Sequence, residues 1–227
     1  MELYGINIEE TESLQKEQIY ETLFSAYRLD KIKKCKNEKA KRQSIAAGYL
    51  LDYVLRCHGM TEKTAYFSIN SYGRPCLVGT DVNLSHSGSY VVAAFDREPV
   101  GIDVEKVHPD KVKRNHIKVA RRFFASDEYD WLMKQPEQER AFCRLWTLKE
   151  SYVKYLGTGM ATPFTEFCIS MEQAPYRADA CLMEYQIGDY CIAACSGKNQ
   201  FPEEICWLKE EELMKKQGKV LAKGGFV

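Results

Sequence analysis

The chain has 227 residues, 45% of them hydrophobic, with 32 basic and 32 acidic side chains and no net charge. That is enough apolar material for one large domain or two small ones around a buried core, and the charge balance excludes a global field that would gather nucleic acid or an anionic membrane. No apolar run approaches the roughly 20 residues of a membrane span, and the acidic start MELYGINIEETES is unlike a secretory leader, so a cytoplasmic protein is expected.

A short alternating strand is predicted over Glu2–Ile8. After a polar stretch, Ile45, Tyr49, Leu50, Val54 and Leu55 fall near helical spacing within one long segment, Asp30 to Cys57. AYFSIN and DVNLSHSGSYVVAAFD read as short strands, and REP turns the chain into VGIDVEKV, Val100 to Val107. From Pro109 to Gly157 the pattern is mostly helical, with Ser126 as an N-cap and Pro136 as a break. Further strands are predicted at Phe167–Met171, Leu182–Gln186 and Tyr190–Ala194, then a charged helix from about Lys209. The order strand, helices, strands thus occurs roughly twice, and SYVVAAFDREPVGIDVE has a faint echo in DYCIAACSGKNQFPEEICW. Two similar halves, 1–98 and 99–227, are expected to meet near Pro99. The nine cysteines are scattered singly with no CxxC pair, a pattern of reduced thiols in core positions rather than a zinc site.

VGIDVEKV raises a chemical question, because Asp103 and Glu105 stand two residues apart and so share one face of a strand. An edge strand with an acidic exposed face is one reading. The other adds Glu150, from the helical stretch EQERAFCRLWTLKESYVKYLGTGM, and gathers three carboxylates around one hard divalent ion. Mg²⁺ takes few carboxylates and completes its shell with water and phosphate oxygens, so a phosphate-bearing ligand would suit such a site. Glu150 and Lys154 lie one turn apart, which by itself is equally the spacing of a surface ion pair. Phosphate-binding candidates are the basic run Lys31 to Arg42, where a solvated face is the alternative, the turn YGRP with Arg74, and NLSHSGS with Ser85 and His86.

With these pieces in order, the sequence resembles the Sfp-type 4′-phosphopantetheinyl transferases. YGRP, NLSHSG, VVAAF, VGIDVE, RRFFASDE and LWTLKESYVKYLGTG carry the resemblance over most of Tyr72 to Gly159. It implies an α+β fold, a pseudo-dimer of two similar α/β halves with coenzyme A in the cleft between them, working as a monomer. It implies transfer of the 4′-phosphopantetheine arm of coenzyme A to a serine of an apo acyl or peptidyl carrier protein, with release of adenosine 3′,5′-bisphosphate. Asp103, Glu105 and Glu150 are the expected ligands of Mg²⁺, with Mn²⁺ the alternative ion. Lys154 is expected at the transferred phosphate, Lys149 at the pyrophosphate or the arm, and Ser85 and His86 at the coenzyme A phosphates. Arg74 belongs at the adenosine end, and Lys31, Lys34, Arg42 and Ser44 near the 3′-phosphate.

The base for the serine proton is expected to be Glu128, Glu150 or a metal-bound hydroxide. Trp146 is read as a packing residue that fixes the helix bearing Glu150. The carrier is expected near Lys111 to Trp131, where Lys111, Lys113, Arg114, Lys118, Arg121 and Arg122 accompany Ile117, Phe123 and Phe124; a solvated amphipathic helix is the competing reading. A coenzyme A-binding pseudoenzyme is the alternative function, with a metal-dependent phosphohydrolase behind it.

Overall fold

The computed structural model describes residues 1–11, 13–14, 19–107 and 113–215. The chain opens with strand β1 (Glu2–Asn7), a 3₁₀ turn, and helices α1 (Tyr20–Leu23), α2 (Ala26–Lys33) and α3 (Glu38–Cys57). A small hairpin of β2 (Phe67–Ile69) and β3 (Pro75–Leu77) precedes β4 (Asp81–Ser87) and β5 (Tyr90–Asp96). The pattern then returns as β6 (Val100–Lys106), α4 (Lys113–Phe123), α5 (Ser126–Met133), α6 (Gln138–Leu156), β7 (Cys181–Ile187) and β8 (Tyr190–Ser196). Strand β9 (Cys206–Trp207) and helix α7 (Glu210–Met214) follow.

The two passes are built alike. Strand β5 pairs antiparallel with both β1 and β4, and β8 pairs antiparallel with both β6 and β7. Helices α2 and α5 start at 26 and 126, α3 and α6 at 38 and 138, and the β4–β5 and β7–β8 turns carry Gly88 and Gly188 at φ 55° and 52°. Short β9 adds parallel to the outer edge of β1, so the first sheet has four strands and the second has three.

Strand alternation sorts the apolar residues into layers. Val91, Ala93 and Phe95 of β5 join the cluster under α3, and Ala193 and Cys195 of β8 join the one under α6. Their neighbours Val92, Ala94, Ile192 and Ala194 meet Val100, Ile102 and Val104 of β6 in a third cluster between the sheets. Since the even positions of β6 enter that cluster, Gly101, Asp103 and Glu105 turn to its other face, where α6 packs. Backbones approach closely there, and a Cβ on Gly101 would stand 1.9 Å from the Ser151 carbonyl oxygen.

Several boundaries differ from the sequence reading. The segment Asp30–Cys57 divides into two helices, because the Asn37 side chain accepts the Ala40 N–H at 2.8 Å and caps a new start. Ala125, not Ser126, is the N-cap of α5; its N–H is held by the Glu128 carboxylate at 2.8 Å. Phe167–Met171 forms no strand beyond a single bridge from Ser170 to Tyr176, since the Phe167 carbonyl and the Ile169 N–H are taken by Lys149 and Glu128. The break at Pro136 falls between α5 and α6. Cys143, Cys191 and Cys195 are buried, whereas Cys168 and Cys206 are exposed. Among the described residues no helix is long and apolar enough to cross a membrane.

Gly101→Ala forces β6 and α6 apart at backbone rather than at flexible side-chain ends. The expected loss is about 1–3 kcal/mol of folding free energy, read as a lower urea midpoint at unchanged m-value; an unshifted midpoint would mean that the contact yields without cost.

Candidate functional site

The seam between the halves is built from short polar side chains. Strand β4 pairs by backbone with β5 on one edge and packs its other edge along β6 without a backbone ladder. Side chains at every second position of β4 fill the gap. Val100 N–H donates to Asp81 Oδ2 at 2.9 Å, Ile102 N–H to Asn83 Oδ1 at 3.0 Å, and Lys106 N–H to Ser87 Oγ at 3.2 Å.

The same row meets the strand acids. Ser85 Oγ donates to Asp103 Oδ1 at 2.7 Å, and Ser87 Oγ donates to Glu105 Oε2 at 2.8 Å. From α6, Lys154 Nζ donates to Asp103 Oδ1 at 2.6 Å and to the Ile102 carbonyl at 3.1 Å. Asp103 is only 4% exposed, and its second oxygen, Oδ2, is buried with no hydrogen-bond partner. Glu150 stands one helical turn before Lys154, on the same side of α6.

These carboxylates act on one another. Burial raises the pKa of Glu150, and the charges of Asp103 and Glu105 raise it further, against the pull of Lys154. Burial likewise raises Glu105; the Ser87 hydroxyl and Lys154 pull it down while Asp103 pushes it up. Partial desolvation lowers His86, as do the charges of Lys31 and Lys154, with Asp103 opposing. Lys31, His86, Lys154 and the acids therefore share one electrostatic neighbourhood. Among the described residues, however, no three His, Cys, Asp or Glu side chains stand around one point as a ready-made metal cage. The donor chemistry still fits a hard cation: three mutually repelling carboxylates and one orphaned carboxylate oxygen are relieved by positive charge.

Other expected site residues lie elsewhere. Glu128 and Lys149 are not brought to this group of acids. They form a buried ion pair at 1% and 0% exposure, with Lys149 Nζ 2.7 Å from each Glu128 oxygen and 2.8 Å from the Phe167 carbonyl. Glu128 also accepts the Ala125 and Ile169 N–H groups. It has no oxygen left to take a proton from a partner, and Lys149 has no reach to a pyrophosphate. The reason is helical geometry: successive residues point about 100° apart, so Lys149 turns inward where Glu150 turns to the cleft. Arg74 is committed to a clamp, pairing with Asp81 and donating to the Lys154 and Val100 carbonyls. Lys34 pairs with Asp30 on the surface. Arg42 is half-buried on α3, and Ser44 Oγ is buried without a hydrogen-bond partner. Trp146 packs among Phe124, Phe142 and Phe164, as expected of a packing residue. Of the basic docking segment, Lys111 lies outside the described residues, and Lys118, Arg121 and Arg122 lie on α4 beside Phe123.

Asp81, Asn83 and Ser87 were missed as parts of the site. The signal was in DVNLSHS, where Asp, Asn, Ser and Ser alternate with other residues and so share a strand face.

Residues 99–195, which include Asp103, Glu105, Glu150 and Lys154, match the family model described as the 4′-phosphopantetheinyl transferase superfamily. The chain is 29% identical to the 4′-phosphopantetheinyl transferase Sfp of Bacillus subtilis (strain 168), over 94% of this chain and 100% of that protein. It is 38% identical to the 4′-phosphopantetheinyl transferase gsp of Aneurinibacillus migulanus over 53% of this chain and 50% of that one. It is 33% identical to the transferase HetI of Nostoc sp. (strain PCC 7120 / SAG 25.82 / UTEX 2576) over 52% of this chain and 49% of that one.

Two measurements follow from the electrostatics. Lys149→Met leaves the Glu128 carboxylate buried without its cation, and about 3–5 kcal/mol of stability should be lost; a wild-type denaturation curve would contradict the burial. The pH dependence has a definite sign. Glu105 and Glu150 are raised above their ordinary value of 4.5, so between that value and the raised ones the native state holds more protons than the unfolded chain. Their contribution to stability therefore falls as pH rises through that window. In chelator, Glu150→Gln should stabilise the protein at pH 7, by an amount that shrinks as pH falls towards 4.5. A difference independent of pH would show that the repulsion is absent.

Proposed function

We propose that this chain, whose residues 99–195 match the 4′-phosphopantetheinyl transferase superfamily, moves the phosphopantetheine arm of coenzyme A onto a serine of an apo acyl or peptidyl carrier protein. The observation that carries this is Asp103: buried between the halves, bonded to Ser85 and Lys154 through one oxygen and unpartnered at the other. A polyanion and a divalent cation complete such a site better than a neutral ligand does.

In the proposed reaction the serine oxygen of the carrier attacks the phosphorus that bears the pantetheine arm. The bond from that phosphorus to the bridging oxygen breaks, and adenosine 3′,5′-bisphosphate leaves. The residues that would hold the cation, proposed as Mg²⁺, are Asp103, Glu105 and Glu150. When bound, it supplies positive charge beside the pyrophosphate oxygens as negative charge builds on the leaving group. Lys154 contributes an ammonium at the same point, held in place by Asp103 and the Ile102 carbonyl. Lys31 and His86 are assigned to the remaining phosphates because they share the neighbourhood of Lys154. With Glu128 spent on four hydrogen bonds, Glu150 is the carboxylate assigned to the serine proton, a role it fills only while it is not held by the cation, because coordination lowers its basicity. Catalysis of this kind rests on positioning and electrostatics more than on covalent chemistry. No observation favours a pseudoenzyme, since Asp103, Glu105, Glu150 and Lys154 are all present.

The test is the intact mass of an apo carrier protein after incubation with this protein, coenzyme A and Mg²⁺. One phosphopantetheine should be added, with the rate falling at least about 100-fold for Asp103→Asn and on chelation. Carriers of fatty-acid, polyketide and peptide-synthetase type should be compared. An unmodified mass with all of them, while coenzyme A still binds, would overturn the proposal; free phosphopantetheine without a carrier adduct would point to hydrolysis instead.

A further inference from the structure

We infer that Asn70 is a positioning residue for the transfer step, tying the Tyr72–Pro75 turn to the C-terminal end of α6; this rests on the transferase reading above. Asn70 makes three side-chain hydrogen bonds. Its Oδ1 accepts the N–H groups of Tyr72 at 2.9 Å and Arg74 at 2.8 Å, which shapes a turn that passes through Gly73 at φ 85°. Its Nδ2 donates to the Gly157 carbonyl at 2.8 Å. Gly157 is the left-handed C-cap of α6, at φ 69°.

A helix ends with carbonyls that its own turns cannot satisfy. Both helices close on themselves, α6 through the Gly157 N–H to the Val153 and Lys154 carbonyls and α3 through the His58 and Met60 N–H groups to the Leu55 carbonyl and the Gly59 N–H to the Arg56 carbonyl. At the end of α6 the Lys154 and Gly157 carbonyls also receive side-chain donors from the β2–β3 turn, Arg74 and Asn70. The tie between halves therefore falls on the helix that carries Glu150 and Lys154. The same turn also holds the start of β6, because Arg74 donates to the Val100 carbonyl at 3.2 Å. Asp103 lies three residues after Val100, and Lys154 three before Gly157. One turn thus fixes the end of β6 and the end of α6 from which these partners are counted, and Asn70 holds the turn in shape.

Asn70→Asp separates the two roles. It keeps an acceptor for the Tyr72 and Arg74 N–H groups but sets an oxygen against the Gly157 carbonyl. The expected result is a kcat about tenfold lower, because a displaced catalytic group loses alignment, with KM for coenzyme A within about twofold of wild type. Amide hydrogen exchange over 154–157 should quicken in the same variant. Gly157→Ala is the second probe, since a Cβ is strained at φ 69° and would stand 3.4 Å from Asn70 Nδ2 and 3.2 Å from Arg74 Nη1, so it disturbs the same end of α6 from the other side. It should reproduce the defect, and the double variant should be no worse than either single one.

Wild-type kcat in Asn70→Asp, or a loss confined to KM, would overturn the inference. If the wild-type protein transfers nothing, the transferase reading fails by itself, and unchanged exchange over 154–157 then overturns the tie independently.

Discussion

Strand β6 has a backbone partner on one edge only, and the structure depends on how the other edge is satisfied. Buried N–H groups must find acceptors, and here Asp81, Asn83 and Ser87 supply them in place of a backbone ladder. A side-chain bridge holds two strands farther apart than direct pairing does. The polar row that joins the halves also meets the acids, since Ser85 and Ser87 bond to Asp103 and Glu105 across the seam. Joining the halves and orienting the acids are the work of one strand face.

In the duplicated architecture β6 carries an acidic pair that β1 lacks at the corresponding positions, and the register shows how. Asp103 sits opposite Ala193 and Glu105 opposite Cys191; in the first half Tyr4 sits opposite Ala93 and Ile6 opposite Val91. On the helices, Leu50 and Val54 stand where Glu150 and Lys154 stand 100 residues later. Leu50, Val54 and Ile6 lie in the hydrophobic core of their half. The outer edge of β1 is covered by β9, with Trp207 laid on Gly5 so closely that a Cβ there would stand 2.4 Å from its ring. Where the second copy of the motif carries acids and a lysine, the first carries side chains that pack in or against its core.

Helix α6 divides its charged residues by angle. Glu150 and Lys154, four apart, face the cleft. Lys149 faces the interior, where Glu128 and the Phe167 carbonyl compensate its charge and the rings of Phe167, Phe164 and Phe124 surround it. Desolvation of this kind is tolerated only with such full compensation. The result pins α6 to α5 and to the segment after the helix, behind the residues assigned to chemistry.

The sequence by itself determined much of this protein. Period-two alternation placed Asp103 and Glu105 on one face, helical spacing placed Glu150 and Lys154 together, and the run of motifs from Tyr72 to Gly159 carried the family resemblance. These are local relations, set by the pitch of a helix or the pleat of a strand. Tertiary structure alone decided which charged residues share a neighbourhood. Arg74 became a clamp, Glu128 and Lys149 became interior, and Phe167–Met171 gave its backbone groups to an ion pair instead of a sheet. Each outcome turns on which partner, distant in sequence, satisfies a buried charge or backbone group. No local period carries that information, because the cost of leaving such a group unpaired is set by everything packed around it.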